Sequence, residues 1–431
     1  SRGLDFEQFI LLQANDGILP KRAAAPTFLP DSIRRAYQLS VLENQDSIFA
    51  YVFYRLLQRS VQSWITYNAL VTDQSTGEPS RFLAQLAYET TLQPERKQVA
   101  IPLKAYWKEA ITIEKTAPVM ALLNRFSNRE SKMSPSAFNT YLDCRLKFYF
   151  QYLAQIKEPD EFLTDPDSRT VGNIFHKTLE ILYARLAGQG GNGQVDKAGI
   201  ALLREWLPEA VGQAFAAELT QKTDTAFPFS GSLLVLREII AGYVKKVLDV
   251  DEHYAPFAQE SLEREIMMQV PITVSGRRET IWMGGYIDRV DLKEGVYRIV
   301  DYKTGMDDKN IPSVESLFDR GNTRRNKAAL QTFIYARIWR QGEAPETALE
   351  TGLYDVRAIG KTPAGFSWQF VFKGNGAPEK IDHRSFAPLE DEIWGKVTEV
   401  LEEIYNPFVP FDQTILVEKC ERCAYNKLCG R

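Results

Sequence analysis

No apolar run in this chain approaches the roughly 20 residues that a membrane-spanning helix needs. No secretory leader opens it either. It begins with Ser1-Arg2-Gly3-Leu4-Asp5-Phe6, which reads like the middle of a protein, so a C-terminal fragment is expected. Cysteine is scarce, with four in 431 residues, which excludes a small disulfide-stapled secreted scaffold. There is no excess of basic charge: the formal net charge is −4 and the pI about 5.7. A global positive field for nucleic acid is therefore absent. Also missing is a GxxxxGK[ST] phosphate loop, so an ATP site is incomplete here. Histidine occurs three times.

What is present is ordinary globular material, 44% hydrophobic and 25% charged. At 431 residues, two or three domains are expected. Residues 1–70 predict an α/β pattern, with a strand over Phe9–Leu12, a helix from Asp46 to about Gln62 and a strand over Trp64–Tyr67. Residues 81–128 predict a helix and a linker. A new unit is expected from Ser134, a helix N-cap. Apolar residues at helical spacing predict a helix over 171–187, with two more near 196–221 and 231–250. Strands are expected near 262–274, 280–292 and 296–303, a helix over Lys327–Arg340, strands near 349–358 and 366–373, and a helix over 387–405. The class is α/β with a mixed central sheet.

The most informative stretch is 284–305, Gly-Gly-Tyr-Ile-Asp-Arg-Val-Asp-Leu-Lys-Glu-Gly-Val-Tyr-Arg-Ile-Val-Asp-Tyr-Lys-Thr-Gly. Glu294–Gly295 predicts a two-residue hairpin turn. That turn pairs Leu292 with Tyr297, Val290 with Ile299 and Asp291 with Arg298. Asp288 then falls opposite Asp301, with Cβ atoms about 4.5–5.5 Å apart. Lys303, two residues on, projects from the same face. Two carboxylates this close repel unless a cation sits between them. Oxygen ligands suit Mg²⁺ or Mn²⁺. Such an ion polarises a phosphate and acidifies a water, and a neighbouring lysine steadies charge on the phosphate. The alternative is a surface hairpin that happens to carry acids and a lysine.

Other residues say little alone. His176 lies in the 171–187 helix with Glu180 one turn on, where a core or surface histidine is the commoner case. Gln331 and Tyr335, four apart, share one face of their helix. The run Arg320, Arg324, Arg325, Lys327 is either a solvated face or a phosphate-contacting mouth. Cys420, Cys423 and Cys429 form CxxCx5C, with Cys144 far upstream. Metal or cluster ligation in a reducing cytoplasm fits this placement, with iron–sulfur, zinc and free thiols all open.

Taken together, GxxxH (Gly172–His176), GxIDRVD (Gly285–Asp291), DYKTG (Asp301–Gly305) and QxxxY (Gln331–Tyr335) resemble the RecB-like branch of the PD-(D/E)XK nucleases. With the four cysteines, the likeness is to the C-terminal part of AddB-type helicase–nuclease subunits and covers about residues 134–431. The resemblance implies a restriction-endonuclease-like fold over 129–431. It implies His176, Asp288, Asp301 and the Tyr302 carbonyl as metal ligands, Lys303 as the catalytic lysine, and Gln331 and Tyr335 as positioning groups. Cys144, Cys420, Cys423 and Cys429 would hold a [4Fe–4S] cluster, with zinc as the alternative. Residues 1–128 resemble late motifs of superfamily 1 helicases, a partial RecA-like segment with Arg55 or Arg59 near the arginine's place. The implied function is DNA hydrolysis in recombinational repair beside a helicase partner. The alternatives are a non-catalytic DNA-binding scaffold, or a nuclease acting on RNA or on foreign DNA in defence.

Overall fold

The protein is described from a computed structural model, which covers residues 4–21, 30–39, 41–71, 77–92, 94–99, 110–157, 167–189, 193–220, 229–305, 308–342, 347–359, 365–374, 376–421 and 423–431. It divides into two compact units, Ser1–Tyr106 and Trp107–Arg431.

The first unit holds β1 (Gln8–Leu11), α1 (Asp31–Ala36), α2 (Leu42–Arg59), β2 (Gln62–Ile65) and α3 (Arg81–Glu89). β1 and β2 pair in parallel, as a crossover through a helix requires. Phe53, Phe82 and Leu86 form its small core. Arg55 and Arg59 both pair with Asp5.

The second unit opens with β3 (Thr112–Ile113), α4 (Ala117–Ser127), α5 (Pro135–Asp143), α6 (Arg145–Phe148) and α7 (Ser168–Ala187). It continues through β4 (Gln194–Val195), α8 (Lys197–Thr220), α9 (Ser232–Tyr254), β5 (Phe257–Val274), β6 (Arg277–Lys293) and β7 (Val296–Lys303). Then come β8 (Asn310–Ile311), α10 (Lys327–Arg340), β9 (Ala348–Asp355), β10 (Val371–Phe372), β11 (Glu379–Lys380), α11 (His383–Tyr405), β12 (Phe411–Asp412) and α12 (Asn426–Cys429). The unit starts ahead of the expected boundary at 129, because Leu123 and Phe126 of α4 are buried in its core.

The central sheet runs β4-β5-β6-β7-β9. β5, β6 and β7 are antiparallel neighbours, while β7 and β9 are parallel, so the sheet is mixed as expected. α4, α5, α10 and α11 share one core with the sheet, which takes in Ile287, Val290 and Ile299. α7, α8 and α9 share the other, with Val300, Tyr302 and Tyr354. Burying the sheet on both faces is the usual solution for such a layer. The strand expected over 366–373 is reduced to β10; Trp368 instead gives its carbonyl to Leu353 N–H at 2.8 Å.

A fully buried charge network sits beneath the hairpin. Arg289 donates to both oxygens of Asp251 at 2.7 Å and through Nε to Asp291 at 3.1 Å. Arg298 donates to Asp291 at 2.5 Å, and Tyr183 and Tyr354 also donate to Asp251. Each charge meets an opposite charge, the condition under which ions tolerate burial.

Candidate metal centre

The β6–β7 hairpin closes as its turn chemistry dictates. Glu294 and Gly295 hold φ of 52° and 78°, the positive pair of a two-residue hairpin turn. Leu292 pairs with Tyr297, Asp291 with Arg298 and Val290 with Ile299, followed by Arg289 with Val300. One step further the ladder gives way to a side chain: Asp288 Oδ2 accepts the backbone N–H of Tyr302 at 2.8 Å.

β5 meets β6 through the turn Ser275–Gly276, φ 50° and 79°. The pairs Leu262–Arg289 and Arg264–Ile287 put Glu263 opposite Asp288. Glu263 holds φ 43°, a region costly for residues other than glycine. Ile287 and Val290 enter the same core although three residues apart, so the strand's alternation breaks between them. Glu263 and Asp288 lie at that bend.

α7 delivers His176 to the same place. Its Nε2 lies 3.2 Å from the Tyr302 carbonyl and its Nδ1 3.4 Å from Glu263 Oε1 and 3.6 Å from Asp288 Oδ2. Ligand atoms of His176, Glu263 and Asp288 all lie within 4.8 Å of one another. Beside them, Asp301 Oδ2 is 2.7 Å from Lys303 Nζ, and Asp301 Oδ1 accepts from Gln331 Nε2 at 3.0 Å. Tyr335 is buried, and its hydroxyl would lie 2.7 Å from a Cβ on Gly285. Only glycine leaves room there, which accounts for the residue that opens the GxIDRVD motif.

The electrostatics describe a site short of positive charge. Burial raises the Asp288 carboxyl above its ordinary range, against the pull of His176 and Lys303. Burial pushes Asp301 up to about 6, against Lys303 and reinforced by Asp288. For His176 burial acts downward, but Asp288, Glu263 and Asp301 outweigh it and raise the imidazole to about 9. A divalent cation relieves this surplus of buried negative charge. Nitrogen plus several carboxylate oxygens suit Mn²⁺ or Mg²⁺.

Of the expected residues, His176, Asp288, Tyr302, Asp301, Lys303, Gln331 and Tyr335 converge. Glu263 is an addition, and it stands in the three-residue group where Asp301 was expected. Its signal was available: a two-residue turn at Ser275–Gly276 places it opposite Asp288.

The basic run requires a correction. Arg325 is buried and donates to Asn139 Oδ1 at 2.6 Å, to the Leu317 and Asn139 carbonyls, and to Asp143. Lys327 also pairs with Asp143, and Arg320 with Glu403 at 2.8 Å. These three cations face acids of their own unit, which removes Arg325 from any phosphate contact. Arg324 is exposed.

The four cysteines are half-buried and carry no disulfide. Cys144, Cys423 and Cys429 pack against Leu146, Phe150 and Tyr425. Burial raises the Cys420 and Cys429 thiols, and each feels the other cysteines. Among the described residues, their sulfurs do not come together in threes within 4.8 Å.

A family model described as the PD-(D/E)XK nuclease superfamily matches residues 132–430. The chain belongs to the PD-(D/E)XK nuclease superfamily. Within this superfamily its sequence is similar to an ATP-dependent helicase/deoxyribonuclease subunit from Streptococcus agalactiae, 26% identical over 268 residues, 62% of this chain and 22% of that protein. The protein of the same name from Carboxydothermus hydrogenoformans is 25% identical over 184 residues, 40% of this chain and 16% of that protein. The chain thus spans about a fifth of the length of these curated relatives. Among solved structures, a protein assigned by name as an exonuclease from Eubacterium rectale matches with a TM-score of 0.31 and 14% identity, over 71% of this chain and 91% of that one.

Proposed function

We propose that this chain is a divalent-metal-dependent deoxyribonuclease that works within a helicase–nuclease assembly in DNA repair. One observation carries the reading: His176, Glu263 and Asp288 converge within 4.8 Å beside the Asp301–Lys303 pair. His176, Glu263, Asp288, Asp301 and the Tyr302 carbonyl would hold Mg²⁺ or Mn²⁺, which when bound supplies Lewis acidity toward a phosphate oxygen and an acidified water. Lys303, with Nζ 2.7 Å from Asp301 Oδ2, would hold charge on the phosphate oxygens as the P–O bond breaks. Gln331 fixes the Asp301 carboxylate, and buried Tyr335 closes the floor of the site over Gly285. A non-catalytic scaffold would have no use for a lysine kept in this position.

The partner and the setting follow from the relatives, whose name is that of a helicase–nuclease component. We take the partner to be a helicase or helicase–nuclease chain and the compartment to be the reducing cytoplasm. The cysteines are read as a [4Fe–4S] site. Four thiolates can hold either a cubane or tetrahedral zinc, and zinc remains the alternative.

The test is cleavage of labelled single-stranded DNA, duplex DNA and RNA with Mg²⁺, with EDTA, and with Asp301→Ala. Metal-dependent cutting of DNA that the variant lacks is the expected result. Cutting of RNA alone would transfer the reading to an RNA nuclease. No cutting of any substrate by the wild-type chain with metal would leave the scaffold.

A further inference from the structure

The β5–β6 hairpin runs outward from the metal centre and shows two faces. Ile281, Met283 and Ile287 of β6 are buried in the core. Between them, Tyr286 is 56% exposed and Trp282 half-exposed. Tyr286 and Trp282, four apart on the strand, share its outward face and leave part of each ring in solvent.

Both rings carry a cation. The Arg129 guanidinium lies 4.7 Å from the Trp282 ring centroid, and Lys132 Nζ lies 4.6 Å from that of Tyr286. The pairing is held by backbone: Met133 N–H donates to the Trp282 carbonyl at 2.8 Å, and Gly284 N–H to the Met133 carbonyl at 3.1 Å. Segment 129–133 is thereby pinned along β6. Glu265, opposite Tyr286, is paired with Lys132; Glu130 is exposed within the pinned segment and Glu279 beside Arg278. Arg277 and Arg278 are exposed at the far end of the hairpin. Arg129, Lys132, Arg277 and Arg278 thus stand along the hairpin against Glu130, Glu265 and Glu279, which places cations for phosphates here although the chain's net charge is −4.

Its direction matters as much as its composition. Tyr286 precedes Asp288 by two residues, about 6.7 Å along a strand, and Trp282 lies about 13 Å further out. We propose that Trp282 and Tyr286, with Arg129 and Lys132, form a stacking track for a single strand of nucleic acid leading into the metal centre. Every base has a π-face, so aromatic rings hold a strand without reading its sequence, while the cations meet phosphates. A duplex keeps its bases inside the stack and gains only the phosphate contacts. The proposal rests on the nuclease reading above and adds to it the form of substrate and its path.

The experiment is fluorescence anisotropy with the full chain, in EDTA to prevent turnover, using a labelled oligothymidylate and a labelled blunt duplex. Trp282→Ala and Tyr286→Ala should each weaken oligothymidylate binding about tenfold or more, and Tyr286→Phe, which keeps the ring, should stay near wild type. Duplex binding should change little in the same variants. Thermal unfolding of each variant checks that it has folded. Unchanged oligothymidylate affinity in both alanine variants, with wild type binding and cutting DNA, overturns the track and leaves the nuclease. Equal losses on strand and duplex also overturn it. A wild-type chain that neither binds nor cuts DNA overturns both.

Discussion

Asp288 receives the backbone N–H of Tyr302 at 2.8 Å, so one carboxylate both closes the β6–β7 ladder and stands beside His176 and Glu263. The Tyr302 carbonyl, on the other side of the same residue, lies 3.2 Å from His176 Nε2. Tyr302 is thus the backbone hinge pin between the hairpin and α7. Its ring, fully buried among Phe175, Tyr354 and Arg289, keeps that backbone still.

Removal of charge at the centre should abolish catalysis without unfolding the chain. Asp301→Ala and Lys303→Ala should each lower kcat at least about a hundredfold, the scale of losing one preorganised charge-stabilising group. Asp301→Ala should also weaken Mn²⁺ binding in a calorimetric titration. Cleavage at the wild-type rate in either variant rejects the assignment.

Glu263 makes a sharper test, because it came from the structure rather than from motif spacing. Glu263→Gln keeps the bulk and the backbone but removes the charge, and should weaken Mn²⁺ affinity at least about tenfold. Glu263→Gly relieves the φ of 43° while losing the same ligand, so it should be at least as stable as Glu263→Gln in urea yet equally weak in metal binding. Unaltered affinity in both variants removes Glu263 from the centre.

The metal should bind in competition with protons. Asp301 titrates near 6, so affinity should fall as pH drops through about 6. His176 titrates near 9, so binding at pH 7.5 should release a proton, seen as a calorimetric heat that scales with the buffer's ionisation enthalpy. Without metal the signs also follow. The folded Asp301 value lies above the unfolded value of about 3.9, and that of His176 above about 6.5. Their stabilising contributions are therefore full below those unfolded values. They are lost as pH rises through about 6 and about 9 respectively. Melting temperatures in EDTA should decline across both windows, and a rise there contradicts the charge surplus described above.

Arg325→Ala should act on stability rather than on DNA. It strands Asn139 Oδ1 and the Leu317 and Asn139 carbonyls, while Asp143 keeps Lys327; unpaired buried acceptors of this kind should cost about 1–3 kcal/mol in urea unfolding. Arg324→Ala, at an exposed neighbour, should leave stability within about 0.5 kcal/mol. The reverse order of effects would restore Arg325 to the surface.

The cysteines predict a colour. Protein prepared without air should be brown, and Cys420→Ser should bleach it. Zinc in equal amount to the protein, with no iron, rejects the cluster.

Local chemistry made much of this legible. Glu294–Gly295 dictates a turn whose register runs as expected from Leu292–Tyr297 to Val290–Ile299; the Asp288–Asp301 pair expected next is absent from the ladder, which stops at Arg289–Val300 where the Asp288 carboxylate takes the Tyr302 N–H instead. The helix Lys327–Arg340, with Gln331 and Tyr335 on one face, follows from its apolar spacing alone. Two things escaped. The φ of Glu263 depends on how β5 bends at a core that only the folded chain possesses. The basic run at 320–327 is solvent-like by composition, yet Arg325 finds buried partners on α5, some 180 residues earlier. Contacts of that range leave no mark in a local pattern.

β3 and β12 pair Ile113 with Phe411 and Thr112 with Asp412, and Phe411 belongs to the core that α4 enters. A ribosome delivers the residues from His176 to Tyr335 well before Phe411 emerges. The core that α4 shares with the central sheet therefore lacks Phe411 until the far strand arrives to pair with β3. A chain ended before Phe411 would leave β3 unpaired and that core short of a ring.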